Sequence, residues 1–221
     1  MPASPAATMW IAELWRYPVK SMAGERLESA VLDQHGLAGD RVIQVFDSND
    51  RIITSRTRPA LLGHRASLSA SGEPLVDGRP WDSAEVAGDV SVAAGQGARL
   101  KRGGDTSRFD ILPLLVATDG AIEAFGYDRR RLRPNIVIGG VPGLGERTWE
   151  GRRLRAGDAL IGIQDLRQRC VMTTWDPDTL EQDINVLRRI RHLFGGAVAL
   201  NARVLRGGLL RVGEAISLVD E

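Results

Sequence analysis

One thiol stands out among the residues able to do chemistry. Cys170 is the only cysteine in the chain, so an internal disulfide is excluded. It lies in the run Arg167-Gln-Arg-Cys-Val-Met-Thr-Thr-Trp-Asp-Pro-Asp178. Cations on the N-terminal side favour a thiolate over a thiol. Thr173 and Thr174 add two hydroxyls, and the Asp-Pro-Asp that follows is turn chemistry. A soft anionic ligand or a nucleophile is therefore expected where a strand ends, beside donors suited to an anion. The competing reading is a buried cysteine packing as a small hydrophobe.

Other groups along the chain share an affinity for anions. They are Lys20-Ser21 in a loop, Gly39-Asp-Arg41 at a strand start, the loop 103–108 with Ser107, Thr118 at a helix start, Arg133 with Asn135, and Arg169 beside Cys170. Arginine forks, hydroxyls and helix N-termini hold phosphate, and a thiolate suits a thiophilic metal. Together they suit a phosphorylated, metal-carrying cofactor. Of the 29 basic residues only Lys20 and Lys101 are lysine, so a lysine hints at a place that wants a compact ammonium.

Other chemistries fit poorly. His35, His64 and His192 form no i, i+4 pair, which argues against zinc. The acidic run 176–183 has Leu and Glu where a calcium loop needs a ligand and a glycine. The glycines of 139–145 lack the context of a dinucleotide fingerprint. A formal net charge of +1 gives no field for nucleic acid. No apolar run approaches the roughly 20 residues that span a bilayer. A lone thiol and the lack of a secretory signal make a cytoplasmic location the expectation.

The elements that must position these groups read as mostly β. Strands are expected at 9–17, 26–32, 41–46 and 51–54, with a hairpin turn at 47–50. A short helix or turn follows at 59–62, and strands at 65–70 and 85–94. Residues 95–105 read as an exposed connection and the internal boundary. Thr118 is the expected N-cap of a helix over 120–125. Residues 129–133 hold four arginines and on composition alone read as a solvated charge run. Strands follow at 136–138, 152–155 and 159–163. Apolar residues at 184, 186, 187, 190 and 193 predict a helix with a solvated basic face. Two last strands, 197–205 and 209–219, are joined by a hairpin at Gly207-Gly208. Strands without long helices between them argue against a doubly wound parallel sheet and for a closed or partly closed barrel. Hydrophobic content of 43% is enough for a core.

Four strings then resemble one family. Tyr17-Pro-Val-Lys-Ser21 and Gly36-Leu-Ala-Gly-Asp-Arg41 resemble the β-barrel region that precedes MOSC domains. Arg133-Pro-Asn-Ile-Val137 and Arg169-Cys-Val-Met-Thr-Thr-Trp-Asp-Pro-Asp178 resemble the two signatures of the MOSC domain itself. The resemblance implies an α+β, mostly β fold, with a leader at 1–8, an N-terminal β-barrel-like region over 9–95, a MOSC domain over 105–221 and a few short helices. It also implies the molybdenum cofactor, a molybdopterin with a terminal phosphate; the family is further associated with pyridoxal phosphate. By that similarity Cys170 ligates molybdenum and is the catalytic residue. Lys20, Ser21, Arg41, Arg133, Asn135 and Arg169 hold the pterin and its phosphate, with Ser107 and Thr118 as further contacts.

The activity implied is that of the family's amidoxime-reducing components and bacterial reductases of N-hydroxylated compounds. The alternative is a carrier of the cofactor or of persulfide sulfur, without turnover of its own. Two departures matter. Gln168 stands where the reductases have serine, and neither an appended ferredoxin-like domain nor a membrane anchor is expected. The expected partners are an N-hydroxylated small molecule and a separate electron-donor protein, with neither nucleic acid nor membrane.

Overall fold

The computed structural model of the chain describes residues 8–104 and 108–219. Residues 1–7 of the expected leader, and Ser107, lie outside the described residues. The first strand, β1 (Met9–Arg16), buries both Ile11 and Leu14 although they are three apart. A bulge between Ile11 and Glu13 brings both to the inner face, since an extra residue flips the alternation that follows. After it come β2 (Glu25–Leu27), β3 (Ser29–Asp33), β4 (Gly36–Leu37), β5 (Ile43–Phe46) and β6 (Ile52–Ile53). A 3-10 turn (Pro59–Gly63) precedes β7 (Ala66–Leu68), β8 (Pro74–Val76), β9 (Arg79–Pro80), helix α1 (Ala84–Ala94) and β10 (Arg99–Arg102).

The second half runs β11 (Leu114–Thr118), α2 (Asp119–Phe125), β12 (Ile136–Gly139), β13 (Arg153–Ala156) and β14 (Ala159–Gln168). It ends with α3 (Asn185–Phe194), β15 (Ala197–Arg206), β16 (Gly208–Arg211) and β17 (Ala215–Val219). Seven strands close a barrel in the order β12-β11-β15-β14-β13-β17-β1, with β1 pairing back onto β12. Closure removes the free edges that an open sheet would expose. Within this ring only β11 and β12 are parallel, and α2 lies on the crossover that a parallel pair requires. Leu14, Val116, Ile136, Ile161 and Leu200 fill the interior.

A second core lies under α1, where Val86 and Val90 meet Val19, Ile43, Val45 and Leu61. Residues 85–94 are thus helix, not the expected strand. Ser83 caps them, its hydroxyl accepting from the Val86 N–H at 3.3 Å. Val86, Val90 and Ala94 are buried at a spacing of four, while three valines and a glycine give the segment its strand-like composition. Residues 95–105 are not simply an exposed connection, because β10 pairs with β5 over Arg99–Arg102. The segment 26–32 is divided at Glu28, whose carbonyl accepts from the Val212 N–H. No hairpin joins the last strands at Gly207-Gly208. β16 pairs instead with β3, which sets Leu210 opposite Ala30 and buries both in the barrel core.

The helix at Thr118 forms as expected, with the Thr118 hydroxyl accepting from the Ala121 N–H at 3.2 Å. α3 packs Val186, Ile190 and Phe194 against Phe125 and Leu132. Its basic face is not merely solvated. Arg189 donates to the carbonyls of Phe125 (3.0 Å) and Ala124 (3.1 Å), answering carbonyls that end α2.

Candidate functional site

Cys170 follows the end of β14. The Arg169 N–H extends the ladder to the Gly196 carbonyl at 3.0 Å, and Cys170 itself is extended. A 3-10 turn, Val171–Thr174, then bends the chain away. The Thr173 N–H and hydroxyl both donate to the Cys170 carbonyl, at 3.1 and 2.9 Å. The Thr174 hydroxyl donates to the Val171 carbonyl at 2.7 Å. Both threonines are buried, so their hydroxyls fix the turn and are not donors waiting for an anion.

Arg131 clamps this turn from behind. It donates to the Thr174 carbonyl at 2.9 Å and pairs with Asp176 at 2.8 Å. The other Asp176 oxygen accepts from the N–H groups of Asp178 and Thr179, at 2.9 and 3.0 Å. Asp176 is therefore a turn-forming residue. The charge run 129–133 is engaged rather than solvated. Arg129 pairs with Glu13 at 2.6 Å, and Arg130 with both Asp128 (2.7 Å) and Asp178 (2.6 Å).

The facing wall is built around Asp40, which is fully buried. One of its oxygens accepts from the Tyr17 N–H at 2.7 Å, and the other meets Arg41 and the Asn135 amide. Asn135 also donates to the Trp15 carbonyl at 3.3 Å and accepts from the Leu115 N–H at 3.1 Å. Its amide thus ties β1, β11 and the Asp40 loop together. Tyr17 forms a floor between two cations, with Arg133 at 4.3 Å from its ring centroid and Arg41 at 4.9 Å. Its hydroxyl donates to the Pro134 carbonyl at 3.1 Å. Burial, opposed by Arg133 and Arg41, leaves the phenol pushed up to about 12.

Between these walls is a cleft of about 300 Å³. Lys20, Ser21, Arg41, Arg133, Asn135, Arg169 and Cys170 all line it. Ser21, Arg41 and Arg133 have φ of 74°, 54° and 57°, so three non-glycine residues of the cleft hold left-handed backbone. Such strain persists only where the surrounding structure enforces it, and it gathers at sites. Burial pushes the Arg133 and Arg169 guanidiniums down to about 10. Arg169 donates to the Leu132 carbonyl at 2.7 Å, while its buried Nε has no partner among the described residues. This is an environment short of negative charge.

One carboxylate partly answers that shortage. Asp110 pairs with Lys20 at 3.0 Å, Arg56 at 2.5 Å and Arg167 at 3.5 Å. Burial would raise it, yet Lys20, Arg56 and Arg167 outweigh burial and hold the carboxyl below its ordinary range.

Not every expected residue reaches the cleft. Thr118 is buried, and its hydroxyl donates to Glu146 at 3.1 Å while capping α2, so it is spent away from the cleft. Gln168 does line the cleft. Arg108, from the expected loop 103–108, lines the cleft as well, while sequence reasoning missed Arg56, Asp110 and Asn201, which also line it. Asn201 carries a signal, a buried amide inside the apolar strand β15, where it donates to Asp165 at 2.6 Å. Arg56 and Asp110 carry none, being 54 residues apart.

A barrel closed by seven strands, with its sole thiol in an arginine-lined cleft, defines the class. The chain belongs to the MOSC family: residues 8–102 match the MOSC N-terminal beta barrel domain, and residues 119–217 match the MOSC domain. It is 24% identical to the human mitochondrial amidoxime-reducing component 1, over 76% of this chain and 67% of that protein. It is likewise 24% identical to the mitochondrial amidoxime reducing component 2 of Macaca fascicularis, with the same coverage. Among solved structures, the YUAD protein from Bacillus subtilis matches 96% of this chain and 95% of its own, with 14% identity and a TM-score of 0.49. No helix among the described residues is long and apolar enough to cross a membrane.

Proposed function

We propose that the chain holds the molybdenum cofactor in this cleft, with Cys170 as the molybdenum ligand, and reduces N-hydroxylated compounds. One observation carries the reading: the only thiol shares a cleft with Lys20, Arg41, Arg133 and Arg169, in a family whose named relatives include amidoxime-reducing components. The residues present fit the group. A half-buried thiol suits a soft metal. The unpartnered Arg169 Nε and the cations over Tyr17 suit its phosphate and polar rings.

The protein's part is binding and orientation. Lys20 and Arg41 take the phosphate end, and Arg133 and Arg169 flank the end near Cys170. Asn135 has its amide occupied within the fold, so its contribution is to hold Arg41, 3.4 Å away. The turn at Thr173 and the Arg131 clamp keep the Cys170 backbone from rotating away. When bound, molybdenum supplies the two-electron chemistry that converts an N-hydroxyl group and two protons to N–H and water. The electrons come from a separate donor protein.

The test is turnover. Protein made in a host that synthesises the cofactor is given an amidoxime and reduced methyl viologen. Formation of the amidine, absent with Cys170→Ser, supports the reading. Full cofactor loading without turnover, or sulfane sulfur on Cys170, supports a carrier instead.

A further inference from the structure

A second cavity of about 320 Å³ lies behind the Cys170 turn, back to back with the first. Arg131, Arg133 and Met172 line both, but Cys170 lines only the first. A molecule in the second cavity is therefore not placed for reaction at the thiol. Its size falls at the lower end of small-molecule sites, roughly 300–1,000 Å³.

Its walls combine aromatic faces with surplus positive charge. Trp15, Tyr17 and Trp175 line it, together with Leu62 and Pro177. Four arginines line it against a single carboxylate, Asp178. Two of the four are answered: Arg130 by Asp128 and Asp178, and Arg131 by Asp176. Arg65 and Arg133 are not, since neither pairs with a carboxylate among the described residues. Arg133 is set in place by its left-handed backbone and by the Tyr17 ring beneath it. The buried indole N–H of Trp175 has no acceptor among the described residues.

We infer that this cavity is a binding site for a planar aromatic anion, whose ring packs between Trp15 and Trp175 and whose carboxylate meets Arg65 and Arg133. A flat ring gains from aromatic faces, and a carboxylate matches the planar guanidinium fork. A neutral ring leaves the two cations unanswered, and a small anion leaves the aromatic walls unfilled. The site shares Arg133 with the first cleft, while Arg65, Trp15 and Trp175 belong to the second cavity alone.

The probe is 2-naphthoate, titrated calorimetrically into the full chain, with 2-naphthalenemethanol and acetate as ring-only and charge-only controls. The expected result is one site with a dissociation constant below about 1 mM, and binding at least about tenfold weaker for both controls and for Arg65→Ser. Arg65 is exposed, so its replacement spares the core. Binding is expected to be unchanged in Cys170→Ser and Lys20→Ala. No binding, equal binding by the alcohol, or loss with Lys20→Ala and not with Arg65→Ser would overturn the assignment. Since molybdenum content enters none of these readings, failure here is distinct from failure of the cofactor reading.

Discussion

Arg133 holds its guanidinium 4.3 Å from the centroid of the Tyr17 ring, and Tyr17 is 3% exposed. The ring is thus both core and the floor beneath two cations that line the cleft, Arg133 and Arg41. Tyr17→Phe keeps the floor and loses the bond to the Pro134 carbonyl, at a cost of about 1 kcal/mol. Tyr17→Ala leaves a cavity under two cations, at a cost of about 3–5 kcal/mol. Urea denaturation of the two variants separates these outcomes.

Tyr17 also sets an alkaline limit. Burial raises its folded value to about 12, above the ordinary 10. The stability it contributes is fully present below pH 10 and is lost as the pH rises through 12. Over that interval the loss is on the order of 2–3 kcal/mol. From pH 9 to pH 12 the unfolding free energy of the wild type should fall relative to that of Tyr17→Phe, a comparison in which the buried Arg133 and Arg169 are common to both proteins. Equal drops would mean that Tyr17 does not carry it.

Asp110 acts in the opposite sense, in acid. Its folded value lies below the unfolded one, so its contribution is present above about pH 4 and is lost as the pH falls below that. Asp110 also occupies the cations an anionic ligand needs. Asp110→Asn should therefore flatten the acid side of the stability profile. It should also tighten inorganic pyrophosphate by at least about threefold in calorimetry. Weaker binding in the variant would make Asp110 part of the anion site itself.

Asn135 joins parts of the chain that lie far apart in sequence. Asn135→Ala leaves the Leu115 N–H and the Trp15 carbonyl without that partner and removes a donor from buried Asp40. A loss of about 2–6 kcal/mol is expected, at about 1–3 for each of the two backbone groups left unmet. Pyrophosphate should bind more weakly as well, because Arg41 loses its neighbour. Unchanged affinity in a folded variant would remove Asn135 from the positioning of Arg41.

Much of this was legible in the sequence where the signal is local. The Asp47–Asp50 turn holds the β5–β6 hairpin, since Asp47 accepts from the N–H groups of Asn49 and Arg51. Thr118 caps α2, and the apolar spacing of α3 faces Phe125. α1 was misread because its valines favour strand, while its helical form is decided by Val86 and Val90 docking on β5, a tertiary choice. The last strands do not simply alternate: β15 buries six consecutive residues, 197–202, and 209–219 is divided into β16 and β17. Alternation in any case names a face and not a partner, so β16 on β3 was invisible. At the site, Cys170, Arg133 and Asn135 were marked by their strings. The roles of Thr173 and Thr174 were not, because a hydroxyl reads the same whether it binds a ligand or its own turn.

The central claim is that Cys170 holds molybdenum, and metal analysis tests it most directly. Wild type and Cys170→Ser are expressed in a host that makes the cofactor and compared for molybdenum per chain, with circular dichroism confirming that both are folded. The account predicts about one molybdenum per wild-type chain, as one thiol permits, and little in the variant. Equal molybdenum in both folded proteins would contradict it.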